Sequence, residues 1–258
     1  MSIKPFKLAY VNFSTNNLEG MSHYYKDIMG LSQVEEGDKG ELYLSCGLDH
    51  HNMILTPDSD NDLKAMGYQV SNESLDEVEK VLEEEGIEYE RRTDAAPGIK
   101  EMIVFKDVDG FQLELFNEME IPAPGFNEHG ISPFKLGHLA LGSINPKKQV
   151  AFYKEVLNFH YTDAISTRAT FLTCNEDHHT LNISDIGHAT LHHIAFELKD
   201  ASHQYRSHDI LAQREIPILW GPTRHTAGHN IASYHHDPDL NLVELYIDMD
   251  IYRPELGY

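Results

Sequence analysis

Pro5-Phe-Lys-Leu-Ala-Tyr10 and Pro133-Phe-Lys-Leu-Gly-His138 are one hexapeptide written twice, 128 positions apart, with only the last two residues changed. At the same spacing Tyr25-Lys-Asp27 falls on Tyr153-Lys-Glu155, Leu44-Ser-Cys46 on Leu172-Thr-Cys174, and Asp49-His-His51 on Asp177-His-His179. The offset grows to 130 where Asp107-Val-Asp109 and Glu114-Leu-Phe116 meet Asp237-Pro-Asp239 and Glu244-Leu-Tyr246. The chain is therefore two copies of a unit of about 115 residues.

Within the second copy, strand patterns alternate with helical ones. Lys135 to Gly142 reads as a strand, and Asn145-Pro146 supplies an N-cap and a first-turn proline for a helix carrying Val150, Tyr153 and Leu157 on one face. Short strands follow to about Ile183. A second round has a strand at Leu191 to Leu198, a helix from about Ala201 to Arg214, and strands around Asn230 to Tyr234 and Asn241 to Ile247. The expected fold is α+β, two tandem domains of two β-α-β-β-β modules each, at residues 1–120 and 133–258. The proline- and glycine-containing stretch 121–132 joins them as a linker.

Composition narrows the function. A net charge of −22, with acidic runs such as Glu73 to Glu85, makes approach to a phosphate backbone or an anionic leaflet repulsive. Neither nucleic acid nor membrane is an expected partner. No apolar run nears the roughly 18 residues needed to span a bilayer, and Met1-Ser-Ile-Lys-Pro-Phe-Lys7 lacks a signal-peptide core, so a cytoplasmic protein is expected. Cys46 and Cys174 each sit in an apolar run and read as reduced core residues.

The two copies control for each other, since a residue kept only for folding should occur in both. The second has His138 in its first strand and His193 in Leu191-His-His-Ile-Ala-Phe-Glu197, where the first has Tyr10 and approximately Gly67; only the carboxylate Glu244 has a twin, Glu114. Two neutral imidazoles and a carboxylate on strands leave open positions on one face of a metal, as in non-heme Fe(II) oxygen chemistry. The first copy lacks the ligands for such a site. Neither a dinucleotide-binding G-x-G-x-x-G after a strand nor a G-x-x-x-x-G-K-[ST] loop is present.

With Gly221-Pro-Thr-Arg-His225, Tyr234 and Asp237-Pro-Asp239 leading to Glu244, the chain resembles, over essentially its whole length, the type I extradiol ring-cleavage dioxygenases of the vicinal oxygen chelate superfamily. That group includes catechol 2,3-dioxygenases and 2,3-dihydroxybiphenyl 1,2-dioxygenases. The resemblance implies the glyoxalase/bleomycin-resistance/dioxygenase-like fold, a mononuclear Fe(II) (or Mn(II)) held by His138, His193 and Glu244, and a catechol-type substrate cleaved beside its diol by O2. It further implies that His179, His225 and Tyr234 surround the substrate, His179 as proton shuttle, and that the protein is a homo-oligomer. A group titrating near neutrality suits the proton the catechol must lose and the intermediate later regains.

Several alternatives stand beside this reading. A glyoxalase-like metal-dependent isomerase or a small-molecule-sequestering protein could use the same modules. His179 has a twin in His51, and His188, His192, His229, His235 and His236 are rival ligands; His192 is expected on the opposite strand face from His193, and His235 and His236 beyond the ligands or exposed. Trp220, Phe152, Tyr153 and Phe159 could shape the pocket or simply pack. The family's turn after Asp237-Pro-Asp239 runs into glycine, whereas Leu240-Asn241 stands here, so a turn shifted by one residue is expected.

Overall fold

The computed structural model describes residues 2–127, 129–253 and 255. The first half runs β1 (Pro5–Thr15), α1 (Leu18–His23) continuing into a π-helical turn (Tyr24–Ile28), β2 (Ser32–Glu36), β3 (Leu42–Ser45), β4 (Met53–Pro57), β5 (Asp62–Val70), α2 (Leu75–Glu84), β6 (Tyr89–Ala96), β7 (Ile99–Lys106) and β8 (Gln112–Phe116). The second half repeats the order: β9 (Lys135–Ser143), α3 (Pro146–Glu155), β10 (His160–Ile165), β11 (Ala169–Thr173), β12 (Leu181–Asp185), β13 (Thr190–Glu197), α4 (Ala201–Gln213), β14 (Trp220–Arg224), β15 (Ile231–His236) and β16 (Leu242–Ile247).

Each half forms one eight-stranded sheet, ordered β2-β3-β4-β1-β5-β8-β7-β6 and β10-β11-β12-β9-β13-β16-β15-β14. In each module the helix-bearing crossover returns the chain so that the last strand lies parallel to the first, β1 with β4 and β5 with β8. The two modules join through one antiparallel pair, β1 with β5 and β9 with β13. The fold is thus α+β, four β-α-β-β-β modules in two sheets. Among the described residues no helix is long and apolar enough to cross a membrane.

Local chemistry explains the elements. Asn145 caps α3, its side chain accepting from Lys148 N at 3.2 Å, with Pro146 where a missing N–H costs nothing. Tyr153 and Leu157 face inward and are buried, Val150 partly so. β14 was the one strand of this half with no sequence-based assignment. It carries Gly221 and Pro222, poor strand formers tolerated at a sheet edge.

One apolar core runs through both halves, from Leu8, Phe13 and Tyr68 to Leu139, Phe159 and Phe196, each such side chain contributing about 1.5–3 kcal/mol. The halves also grip each other reciprocally. The Tyr25 hydroxyl donates to Asp237 Oδ2 at 3.0 Å, and its repeat partner Tyr153 donates to Asp107 Oδ2 at 3.0 Å. Each aspartate also accepts two backbone N–H groups of its own turn through Oδ1. Burial pushes the Asp107 carboxyl up to about 6 and raises that of Asp237 as well.

Three expectations are corrected. The Asp237 turn is not shifted: Leu240 N donates to Asp237 O at 3.0 Å as Gly110 N does to Asp107 O at 3.1 Å, and Leu240 itself adopts the left-handed conformation, φ 68°. His235 is neither exposed nor beside the ligands; it is fully buried against the other half with Nε2 on the Tyr24 hydroxyl, and burial depresses it to about 3. The counterpart of His193 is Ala65 and not Gly67, because Asn12 pairs with Ala65 where Ala140 pairs with His193.

Two outcomes follow. Leu240 is 73% exposed, so Leu240→Gly sheds about 1–2 kcal/mol of left-handed strain against about 0.5–1 kcal/mol of added chain entropy. Urea unfolding should show a small net gain, and a loss would mean that the leucine side chain packs usefully. Tyr25→Phe and Tyr153→Phe each remove a donor from a buried carboxylate and should cost about 1.5–3 kcal/mol apiece. A cost under about 0.5 kcal/mol in either would remove that bond from the forces joining the halves.

Candidate metal centre

Cross-strand register assembles the centre. His138 on β9 and Glu244 on β16 lie on either side of Ala195 on β13, all three on one rung. Residues abreast in a sheet share a face, so the imidazole and carboxylate lean together over the small alanine. His193, two positions along β13, joins them from the same face. It sits at a register irregularity between Leu191 and His193.

His138 Nε2 lies 3.3 Å from His193 Nε2 and 3.2 Å from Glu244 Oε2, and His193 Nε2 lies 3.0 Å from the same oxygen. Among the described residues this is the one group of His, Cys, Asp or Glu side chains whose donor atoms converge so closely. Cis donors on an octahedral ion with bonds of about 2.1 Å are separated by roughly 3.0 Å, so the set fits a divalent metal without rearrangement. Protonation states fit as well. Burial holds His138 below the ordinary imidazole value, while Glu244, despite burial, is held well below the carboxylate range by His138 and His193. Lone pairs aimed at one point in a buried site favour a cation between them.

The other three sequence-derived residues ring this set. His179, just before β12, stacks on His138 with ring centroids 4.3 Å apart and on Phe171 at 4.9 Å. Its Nδ1 is 3.0 Å from His178 Nδ1, and burial, then the neighbouring His138 and His178, keep it well below the usual imidazole value. It is neutral at pH 7 and a weaker base than a free imidazole. His51 repeats this geometry, 4.6 Å from the Tyr10 ring with Nδ1 3.0 Å from His50. The paired-histidine turn is therefore common scaffold, and the partner ring is what differs.

His225 lies just past β14, where Gly221, with φ 93° and no Cβ, lets the Ala232 carbonyl approach. His225 Nδ1 is 3.2 Å from Asn230 O and Nε2 is 2.9 Å from the Tyr234 hydroxyl, which donates to Glu244 Oε2 at 2.8 Å. Trp220 stands edge-on to His225 at 5.3 Å and is 52% exposed. Tyr153 and Phe159 are core, packed against each other at 5.3 Å, and Phe152 packs partly buried against that core.

Of the rival histidines, His188 and His229 are exposed, His229 pairing with Asp250, and His236 is exposed too. His192 is exposed as well, yet its Nδ1 lies 2.8 Å from His193 Nδ1, where it can fix that ring's orientation. Sequence reasoning missed Asn230, whose Nδ2 donates to Glu244 Oε1 at 2.8 Å, and Ala195. Two large cavities, of about 680 and 800 Å³, are lined by Lys7, Lys135 and Phe126 and by Ile131, Phe134 and Arg206 respectively, and include none of these residues.

The first copy shows how such a site is closed. Its rung is Tyr10, Gly67 and Glu114, and a Cβ on Gly67 would fall 2.2 Å from the Tyr10 ring. That ring fills the space where a metal would sit, and its hydroxyl donates to Glu114 Oε2.

Known proteins carry the same architecture. The chain is 24% identical over 262 residues to the manganese-dependent 2,3-dihydroxybiphenyl 1,2-dioxygenase of Geobacillus genomosp. 3, covering 92% of this chain and 83% of that one. The crystal structure of the 2,3-dioxygenase LapB from Pseudomonas sp. KL28 superposes with a TM-score of 0.91 at 23% identity, covering 99% of this chain and 96% of that one. The Mn(II)-bound glyoxalase from Novosphingobium aromaticivorans superposes at 0.90 with 26% identity, covering 96% and 84%. The family model of the Glyoxalase/Bleomycin resistance protein/Dioxygenase superfamily matches residues 7–115 and again 135–245, one match per copy, and the chain belongs to that superfamily.

Proposed function

We infer that this protein is an extradiol dioxygenase that adds both atoms of O2 to a catechol-type substrate and breaks the ring bond beside the diol. The observation that carries the reading is the convergence of His138, His193 and Glu244 within 3.0–3.3 Å, beside a neutral histidine and a His225–Tyr234 pair. Residues 133–258 are the catalytic unit, residues 1–120 a unit without a metal site, and 121–132 the linker. The protein works in the cytoplasm as a homo-oligomer on a small aromatic substrate.

The triad of His138, His193 and Glu244 would hold Fe(II), or Mn(II), which would supply the Lewis-acid and electron-transfer chemistry that brings catechol and O2 to reaction. The chain's own residues manage position and protons. His179, neutral because it is buried, takes the proton that a catechol hydroxyl must lose and returns it as the O–O bond breaks. The Tyr234 hydroxyl, raised above its ordinary value by burial and by Glu244, stays protonated; its one proton goes to Glu244 Oε2 and would have to turn from it to reach a substrate oxygen. His225, fixed through Asn230 O, orients that hydroxyl from the other side. The phenolic protons, one C–C bond and one O2 account for a 2-hydroxymuconic semialdehyde type of product, or its aryl analogue.

The Mn(II)-bound glyoxalase neighbour favours one rival, an isomerase on the same scaffold. O2 separates the two. Protein loaded anaerobically with Fe(II) or Mn(II) should consume one O2 per catechol, 3-methylcatechol or 2,3-dihydroxybiphenyl and turn yellow; no uptake with any of them would sink the dioxygenase reading.

Two further outcomes test the residues. Adding Mn(II) should raise the melting temperature of the parent, since an ion bound only to the folded state stabilises it, and His193→Ala or Glu244→Ala should abolish both that shift and turnover by at least about a thousandfold. His179→Asn should retain the metal and lower kcat by about 10²–10⁴-fold, and a kcat within threefold of the parent would remove its role in proton transfer.

A further inference from the structure

Glu244 has two carboxylate oxygens, and only Oε2 points at the imidazoles. The other, Oε1, is buried 2.8 Å from Asn230 Nδ2. Asn230 is itself 1% exposed, and a carboxylate can only accept, so the amide nitrogen must face it. The Asn230 side-chain oxygen is then left buried with no hydrogen-bond partner. A buried unpaired amide oxygen costs about 1–3 kcal/mol, so folding alone does not favour asparagine here.

The main chain of Asn230 has a second task. Its carbonyl accepts from His225 N at 2.9 Å and lies 3.2 Å from His225 Nδ1. The residue is turned inward by two left-handed positions before it, Gly228 (φ 74°) and His229 (φ 48°). A Cβ on Gly228 would lie 3.0 Å from His178 Nδ1 and 3.3 Å from His179 Cε1, so the same turn also rests against the histidine pair.

The first copy supplies the comparison. There the Glu114 Oε1 accepts from Gln112 Nε2 at 2.8 Å, an amide two residues away on the same strand, while position 112 corresponds to Leu242 in the second copy. Both copies give this oxygen an amide donor. Only in the second does that donor come from the residue that also holds His225.

We propose that Asn230 is a positioning residue for the metal centre: its amide fixes the Glu244 carboxylate so that Oε2 faces His138 and His193, while its carbonyl sets the orientation of His225. This rests on the metal reading above. Partners that orient a ligand without touching the metal typically account for 10–100-fold in metal affinity.

The test is Mn(II) binding to the metal-free full-length protein, read from the electron paramagnetic resonance signal of free Mn(II), for the parent, Asn230→Ala, Asn230→Asp and Gln112→Ala. Asn230→Ala should weaken Mn(II) 10–100-fold. Asn230→Asp, which keeps the shape but sets a second carboxyl against Glu244, should weaken it at least as much. Gln112→Ala, which removes the corresponding amide from Glu114 in the half without the ligand set, should leave Mn(II) affinity within about twofold. Circular dichroism checks that Asn230→Asp folds if Asn230→Ala does not. Parent-like Mn(II) affinity in a folded Asn230 variant overturns the assignment, and so does an equal loss in Gln112→Ala, which would mark a general loosening. A parent that binds no Mn(II) or Fe(II) overturns the metal reading itself.

Discussion

The candidate centre depends on a residue with no chemistry of its own. Adjacent strands are about 4.8 Å apart, so His138 and Glu244, one strand to either side of β13, start roughly 9.6 Å apart at the backbone. Their side chains meet over the middle strand only if the residue between them is small, and Ala195 is. A branched or aromatic residue there would occupy the point on which the three donors converge. The first copy goes further, with Gly67 on the same rung, but spends the space on the Tyr10 ring. One rung geometry thus gives an open three-ligand set in one half and a packed tyrosine–glutamate pair in the other. The difference lies in His138 against Tyr10 and His193 against Ala65.

Much of this is legible in the sequence because internal repetition turns one chain into a comparison of two. The repeated Pro-Phe-Lys-Leu start located the first strands, and the loss of two histidines from one copy separated ligands from scaffold. What stayed hidden has specific causes. The counterpart of His193 is legible only where the 128-residue offset is carried through to Ala65, because short motifs fix the alignment on the first strand and none fixes it between Asp62 and Val70. β14 was hidden by Gly221 and Pro222, residues that end strands everywhere except at an edge. His235 looked like an ordinary polar position because its partner, Tyr24, is 211 residues away. Asn230 could not be found by pattern, since its role comes from two consecutive left-handed residues that only backbone geometry reveals.

The turn that leads into Glu244 ties the first copy to the centre it lacks. Asp237 gathers the backbone N–H groups of Asp239 and Asn241 and so closes the hairpin in which Tyr234 lies opposite Glu244. Its other oxygen is held by Tyr25, a residue of the first half. Tyr153 returns the same bond to Asp107, so the interface is built twice from one interaction. A buried carboxylate with donors on both oxygens is costly to disturb, which keeps the hairpin and its register rigid. Leu240 can then be held at a left-handed position that leucine disfavours, because its neighbours on both sides are already fixed. The first half lacks the ligands on its own rung, yet it supplies the hydroxyl that braces the turn beside the last ligand of the second, so the geometry of the centre depends on both copies.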